Sequence, residues 1–153
     1  EGTARTPAMS GYAKPLPRIT PDNQDFWEAV RRHELSLQRC EACGRFRYPP
    51  SPVCPDCLSE RFAWTPVSGR GTVTTWVVFH KPYFPSFADE IPYHVVQVEL
   101  EEGPRLTANL VDVPNDQIRV GLPVEVVFDD VTPEVTLPRF RRARGEPGPG
   151  QAR

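Results

Sequence analysis

The sequence predicts a mainly β chain with one N-terminal helix, a four-cysteine metal ribbon and a small five-stranded barrel. Three observations predict it. All four cysteines fall in two C-x-x-C pairs between Cys40 and Cys57. Residues 67–140 read as short alternating apolar segments separated by turn signals, and only residues 20–36 show apolar spacing of helical period. At 153 residues the chain fits one ordinary domain or two small ones, and its 19 prolines, many near the ends, point to extended tails around a smaller folded part. No run of about 18 apolar residues exists, so no membrane span is expected.

Residues 1–19 combine small residues and prolines without apolar periodicity, which predicts a linker or tail able to lie along a partner. Thr20-Pro21 then has the form of a helix start, with Asp22 and Asp25 where the helix dipole favours negative charge. Phe26, Trp27, Val30 and Leu35 recur at helical spacing, and the helix is expected to end near Ser36. Phe26 and Trp27 make a large apolar patch for so short a helix. Either they cover the chain's own core or they dock on another protein.

Residues 20–65 are read as one unit, the helix plus the cysteine module. Two C-x-x-C turns separated by ten residues, Gly44 to Val53, have the spacing of a four-thiolate zinc site, with Cys40, Cys43, Cys54 and Cys57 as ligands. Disulfides would need an oxidising compartment, and no apolar signal segment opens the chain. A redox pair would use one C-x-x-C and leave the other idle. Four thiolates leave no open coordination position, so the zinc is expected to be structural. Gly44 supplies the positive φ of a metal-binding turn, and Tyr48-Pro49-Pro50 a stiff connection between the two turns. Reduced thiols and no signal segment fit a cytoplasmic location.

Residues 66–142 are expected to form the barrel. Gly71 to Phe79 is rich in β-branched and aromatic residues. From Tyr93 to Glu101, His94, Val96, Val98 and Leu100 alternate with Gln97, Glu99 and Glu101, and Leu106, Ala108 and Leu110 resume the pattern after Gly103-Pro104. Val124, Val126 and Phe128 follow the turn glycine Gly121; Asp129-Asp130 is read as a turn, and Val135, Leu137 and Phe140 complete the set. Five short strands, the first long enough to serve two sides, fit an OB-type barrel. The helix usual between its third and fourth strands should be missing or reduced to a turn. The loop from Lys81 to Pro92 sets Tyr83, Phe84, Phe87 and Ile91 among three prolines. It is either a lid or interface anchor, or a cap on the open end of the barrel.

The tail carries Arg139, Arg141, Arg142 and Arg144 and then Gly/Pro-rich residues; 143–153 reads as disordered. The arginines nearest the last strand are either solvated or candidates for phosphates such as those of coenzyme A. The formal net charge is −2, but residues 66–138 hold 4 basic and 11 acidic side chains, a net of −7. That weighs against a nucleic-acid backbone lying along the barrel. No catalytic constellation can be assembled: His33, His80 and His94 have no nucleophile and carboxylate at a recognisable spacing, and no phosphate loop occurs.

A helix bearing Phe26-Trp27, C-x-x-C-G at Cys40–Gly44, Tyr48-Pro49-Pro50, the second C-x-x-C and an acidic OB-like barrel together resemble the thiolase-associated zinc-ribbon/OB-fold proteins, long classed as domain of unknown function 35. Gly71-Thr72-Val73, the run Ile118 to Val124 and the ending Leu137 to Phe140 extend the resemblance over residues 20–142. The resemblance implies a rubredoxin-like zinc ribbon and a non-catalytic, accessory subunit of a thiolase or thiolase-like aldolase acting on acyl-CoA thioesters, including steroid side-chain esters. It also implies an acyl-CoA ligand at the interface with the partner. Similar domains are fused to, or sit near, hotdog-fold enoyl-CoA hydratase domains, and a chain beginning at Glu1 with a proline-rich leader fits the C-terminal part of such a fusion. Two rivals stand beside this reading: a binder of single-stranded nucleic acid, since ribbons and OB barrels both occur there, and a lyase or hydrolase using the barrel cavity.

Overall fold

The computed structural model describes residues 11–144. Residues 11–19 carry no regular secondary structure; the first ten residues of the leader, and 145–153 of the stretch 143–153 expected to be disordered, lie outside the described residues, while the Ala143 amide donates to Pro123 O at 3.1 Å.

Helix α1 spans Gln24–Arg31 and is shorter at both ends than the expected Thr20–Ser36. At its start the Asn23 side chain accepts the Thr20 amide at 2.7 Å, closing a turn over residues 20–23, and the first helical bond runs from Trp27 N–H to Asn23 O. Asn23, not Thr20, therefore stands at the N-cap position, its side chain turned back to Thr20 and not to the helix amides, and Asp22 lies outside the helix. At its end His33 takes φ 59°, the left-handed conformation usually given to glycine. Its amide bonds to Val30 O at 2.9 Å and the Glu34 amide to Ala29 O at 3.0 Å, the paired bonds of a Schellman stop. The imidazole stacks on Phe128, 5.2 Å between ring centroids, and Nε2 lies 2.9 Å from Asp130 Oδ1. A hydrogen bond from the Thr136 hydroxyl, then the His33 contact, hold the Asp130 carboxyl below its ordinary value.

Because the helix stops there, Ser36 opens a strand instead of closing a helix. Strands β1 (Ser36–Cys40), β2 (Phe46–Arg47) and β3 (Phe62–Pro66) form an antiparallel sheet in the order β2-β1-β3. Cys40 sits opposite Phe62, and Leu37 opposite Thr65.

A second antiparallel sheet contains β4 (Arg70–Phe79), β5 (Tyr93–Leu100), β6 (Arg105–Ala108), β7 (Pro123–Asp130) and β8 (Thr136–Arg142), in the order β6-β5-β4-β7-β8. The long β4 pairs with β5 along nearly all its length and with β7 through Arg70–Thr72, and its register shifts between Val73 and Thr75. Two neighbours on one strand leave no room for a side chain at Gly71, where an added Cβ would lie 2.3 Å from Glu99 O. The expected curled five-stranded OB arrangement is present, closed by a single parallel bridge. Leu110 meets Phe140, with Val111 N–H to Phe140 O at 2.8 Å and Phe140 N–H to Asn109 O at 3.1 Å. Between β6 and β7 the helix is reduced to one 3₁₀ turn, Asn115–Gln117. The pair Asp129-Asp130, expected as a turn, ends β7 instead, and the reversal follows it, with the Thr132 hydroxyl accepting the Val135 amide at 2.9 Å.

The core does not stop at the boundary expected near residue 65. Phe26, Val30, Leu35 and Leu37 belong to one buried cluster with Val73, Val96, Val98, Leu106, Val124 and Phe140. Full burial of a side chain such as Phe26 is worth about 1.5–3 kcal/mol, so α1 and the barrel stabilise each other. The His33 stop holds that packing in register. His33→Ala should lower unfolding stability by about 1–2 kcal/mol through loss of the stack and the polar contact. His33→Gly should recover roughly 1 kcal/mol of it by removing left-handed strain, and denaturant unfolding of both variants checks the order.

Candidate metal centre

The two cysteine turns are near copies of each other. In the first, Cys40 N–H bonds to Arg45 O and Gly44 N–H to Cys40 O, both at 2.9 Å; in the second, Cys54 N–H bonds to Ser59 O at 2.9 Å and Leu58 N–H to Cys54 O at 3.0 Å. Each turn needs a left-handed residue after its second cysteine. Gly44 provides it at φ 77° and Leu58, with its side chain 73% exposed, at φ 62°. The second position is invisible to a search for turn glycines.

The turns face each other so that the four sulfurs lie within 4.8 Å of one another, with Cys40 to Cys57 at 3.5 Å and Cys43 to Cys54 at 3.7 Å. Tetrahedral zinc with bonds of about 2.3 Å places its sulfurs roughly 3.8 Å apart, so the donor set fits the ion in number, chemistry and spacing. Cys40 and Cys54 are buried, while Cys43 and Cys57 face solvent. The electrostatics follow the same division. The Cys43 amide, with that of Ala42, holds the Cys40 thiol down to about 6 against its desolvation. The amides of Cys57 and Asp56 lower Cys54. For Cys57 the Ser59 amide is outweighed by the neighbouring Cys40 sulfur and by desolvation, and the thiol is pushed up to about 12. Cys43 is likewise raised, the Arg45 amide notwithstanding, by desolvation and by the Cys40 and Cys54 sulfurs. A cluster arranged this way favours the thiolate at its inner sulfurs over its outer ones, and a cation displaces the outer protons when it binds.

A lock missed in the sequence ties the turns together. Gln38 Oε1 accepts both Arg47 Nε–H at 3.1 Å and the Ser51 amide at 2.8 Å, and Arg47 Nη2 donates to Ser51 O at 2.7 Å. Arg47 is buried, with its guanidinium 4.8 Å over the Phe62 ring. The segment between the cysteine pairs is thus bolted to β1 and β3. Only the juxtaposition of β1 and β2 reveals this, because the residues involved read as ordinary strand and loop.

The other expected site residues are dispersed. Phe26 is 1% exposed and spent on the chain's own core; Trp27 is half-buried, edge-on to it with centroids 5.1 Å apart. Tyr83 and Phe84 remain exposed, at 66% and 52%, whereas Phe87 is half-buried. Arg139 donates to Asp129 Oδ2 and Arg141 to Glu125 Oε1, each at 2.8 Å, and Arg142 to Gln117 Oε1. His94 is buried; its Nε2 accepts the Leu110 amide at 2.8 Å, which leaves Nδ1 to donate to Asn115 Oδ1 at 2.8 Å. That histidine holds the β6–β7 connection, His33 stops α1, and His80 is exposed. The three histidines do not converge. No described helix is long and apolar enough to cross a membrane.

Comparison with known proteins agrees with this geometry. Residues 27–63 match the model of the ChsH2 rubredoxin-like zinc ribbon domain, and residues 64–129 that of the ChsH2 C-terminal OB-fold domain. A solved chain of the "Ltp2-ChsH2(DUF35) aldolase" superposes with a TM-score of 0.76 at 42% identity, covering 83% of this chain and 98% of that one. The chain belongs to the ChsH2-type DUF35 family. The ribbon is therefore a zinc ribbon, with Cys40, Cys43, Cys54 and Cys57 positioned as its ligands. Among its relatives, a probable enoyl-CoA hydratase alpha subunit of Thermomonospora curvata is 43% identical over 141 residues, 92% of this chain. The 3-oxo-4,17-pregnadiene-20-carboxyl-CoA hydratase alpha subunit of Mycobacterium tuberculosis is 36% identical over 114 residues, 74% of this chain. The chain spans only 44% and 36% of the length of these two proteins. The benzoylsuccinyl-CoA thiolase subunit BbsA of Thauera aromatica is 31% identical over 101 residues, 64% of this chain and 68% of that protein.

Two outcomes test the centre. With the Cys43 and Cys57 thiols raised above their ordinary value, zinc binding near pH 7 should release at least their two protons, and affinity should fall as pH is lowered; calorimetry in buffers of different ionisation heat reads both. Leu58→Gly should raise stability by about 0.5–1 kcal/mol, because left-handed strain of about 1–2 kcal/mol is relieved and an exposed side chain gives up little packing; thermal unfolding of the zinc-loaded protein measures it.

Proposed function

We propose that the chain is a non-catalytic subunit, or a domain of one, that binds and supports a thiolase-superfamily enzyme acting on acyl-CoA thioesters. The observation that carries this reading is the 42% identity to nearly the whole of a chain solved within an aldolase. The thiolase subunit and the two hydratase alpha subunits among its relatives point to the same chemistry, carbon skeletons held as CoA thioesters. The pregnadiene-carboxyl-CoA relative favours a steroid side-chain ester as the substrate of the assembled enzyme. Within the chain the zinc set is filled by protein sulfur, and the one buried histidine, His94, is held by structural hydrogen bonds, so the chemistry is assigned to the partner.

The partner surface is assigned to Tyr83, Phe84 and Phe87 on the 81–92 loop, with Trp27 beside Phe26 as a lesser contact; Phe26 supports the patch from beneath. For the phosphates of a CoA ester at the interface, Arg139 and Arg141 would first have to give up Asp129 and Glu125, which leaves Arg142, bonded to a neutral amide, best placed. Single-stranded nucleic acid is disfavoured by the net −7 of residues 66–138.

Co-expressed with the Ltp2 component of the related aldolase, the chain should co-elute with it, and carbon–carbon cleavage of an acyl-CoA aldol substrate should require both proteins. An enzyme component that is soluble and fully active by itself would end the accessory reading. Turnover by the isolated chain would move the chemistry into it.

A further inference from the structure

Within the described part of the leader, Lys14 reaches the loop that carries the exposed aromatics. Lys14 Nζ lies 2.6 and 2.7 Å from the two carboxylate oxygens of Glu90, and 5.2 Å over the ring centroid of Phe87. Its side chain is 24% exposed, low for a lysine in a segment without secondary structure. Tyr12 and Pro15 flank it, and with Phe87, Pro92 and Tyr93 they line a cleft of about 490 Å³.

The ring under the ammonium group is also the joint of an aromatic ladder. Phe84 meets Phe87 at 6.2 Å between centroids, Phe87 stacks on Tyr93 at 5.1 Å, Tyr93 stacks on Phe79 at 5.1 Å, and Tyr83 closes edge-on against Phe79 at 5.9 Å. The two ends of the ladder, Tyr83 and Phe84, are its most exposed rings. The loop's own backbone bonds are local: Phe87 N–H to Phe84 O at 3.0 Å, Ala88 N–H to Pro85 O at 3.1 Å and Glu90 N–H to Phe87 O at 3.0 Å. Such bonds set the shape of a turn but not its tilt on the barrel. The Lys14–Glu90 contact, across 76 positions of sequence, supplies an anchor to a distant segment.

We propose that Lys14 is a positioning residue for partner binding. By clamping Glu90 and Phe87, the leader fixes the orientation in which the ladder presents Phe84 and Tyr83 to the thiolase-superfamily subunit. The surface such rings fit is an apolar pocket with a hydrogen-bond acceptor at its rim for the Tyr83 hydroxyl. The inference rests on the reading of the 81–92 loop as the partner surface and adds a control element to it. Rigid aromatics bind well when their orientation is set beforehand, since less freedom is lost on association.

The test uses the full zinc-loaded chain and immobilised Ltp2 from the related aldolase, with kinetics by surface plasmon resonance and thermal unfolding in parallel. Lys14→Ala should weaken binding about three- to tenfold, chiefly through faster dissociation, with little change in the unfolding midpoint. Lys14→Arg should bind as wild type. The exchanged pair Lys14→Glu with Glu90→Lys should bind more tightly than Lys14→Glu alone. If Phe84→Ser weakens binding while Lys14→Ala does not, the leader has no such role and the proposal is overturned. If Tyr83→Ser and Phe84→Ser both bind as wild type, the loop is not the partner surface, and the reading beneath the proposal fails with it.

Discussion

The structure depends on the short strand β1 being fixed at both ends. One end is Cys40, a corner of the thiolate tetrahedron; the other follows the His33 stop and delivers Leu35 and Leu37 into the core that Val73 and Phe140 share. A metal ion binding four sulfurs is a cross-link between two turns, and here the cross-link also fixes the register of β1 against β3. Register in turn decides which face of β1 meets the barrel, since a one-residue slip would turn Leu37 outward and Gln38 away from Arg47 and Ser51. A zinc bound by four protein sulfurs thus governs the side of the molecule on which α1 is packed.

Much of this was legible in the residues. Ligand spacing named the four cysteines, and period-two alternation named the inner face of β5, where His94, Val96, Val98 and Leu100 are all buried. What escaped was conformation that the residue type does not announce. His33 and Leu58 take φ values normally assigned to glycine, so the helix end and the second cysteine turn carried no signal. Ser36–Cys40 continues the apolar spacing of the helix, and only the Schellman stop converts it to a strand. The arginines at the end of the chain looked free because their partners, Asp129 and Glu125, lie across the ladder on β7. Pairing across a sheet is hidden until the register is known.

Those pairs change the electrostatic picture of the barrel. An excess of carboxylates along residues 66–138 looked like an acidic face, and the arginines that follow like a separate basic tail. Folding interleaves them: Arg139 meets Asp129, while Arg141 and Arg144 both reach Glu125. Tyr83 and Phe84 stay exposed beside these paired charges, a small set of rings held by a loop. This suits a stable protein partner better than a polyanion.

The single parallel bridge between Leu110 and Phe140 has a consequence for the order of assembly. The cysteine module, including the Ser59 carbonyl that closes its second turn and strand β3 on which it packs, is complete once residue 66 has left the ribosome. The barrel is different, because Phe140, fully buried at its centre, comes near the end of the described chain and joins partners as far back as Phe26. Until it arrives, the inner faces of β4 and β5 have no lid. The growing chain therefore passes through a stage with a finished metal module and an open, apolar half-barrel, the stage at which a chaperone or a waiting partner has most to offer.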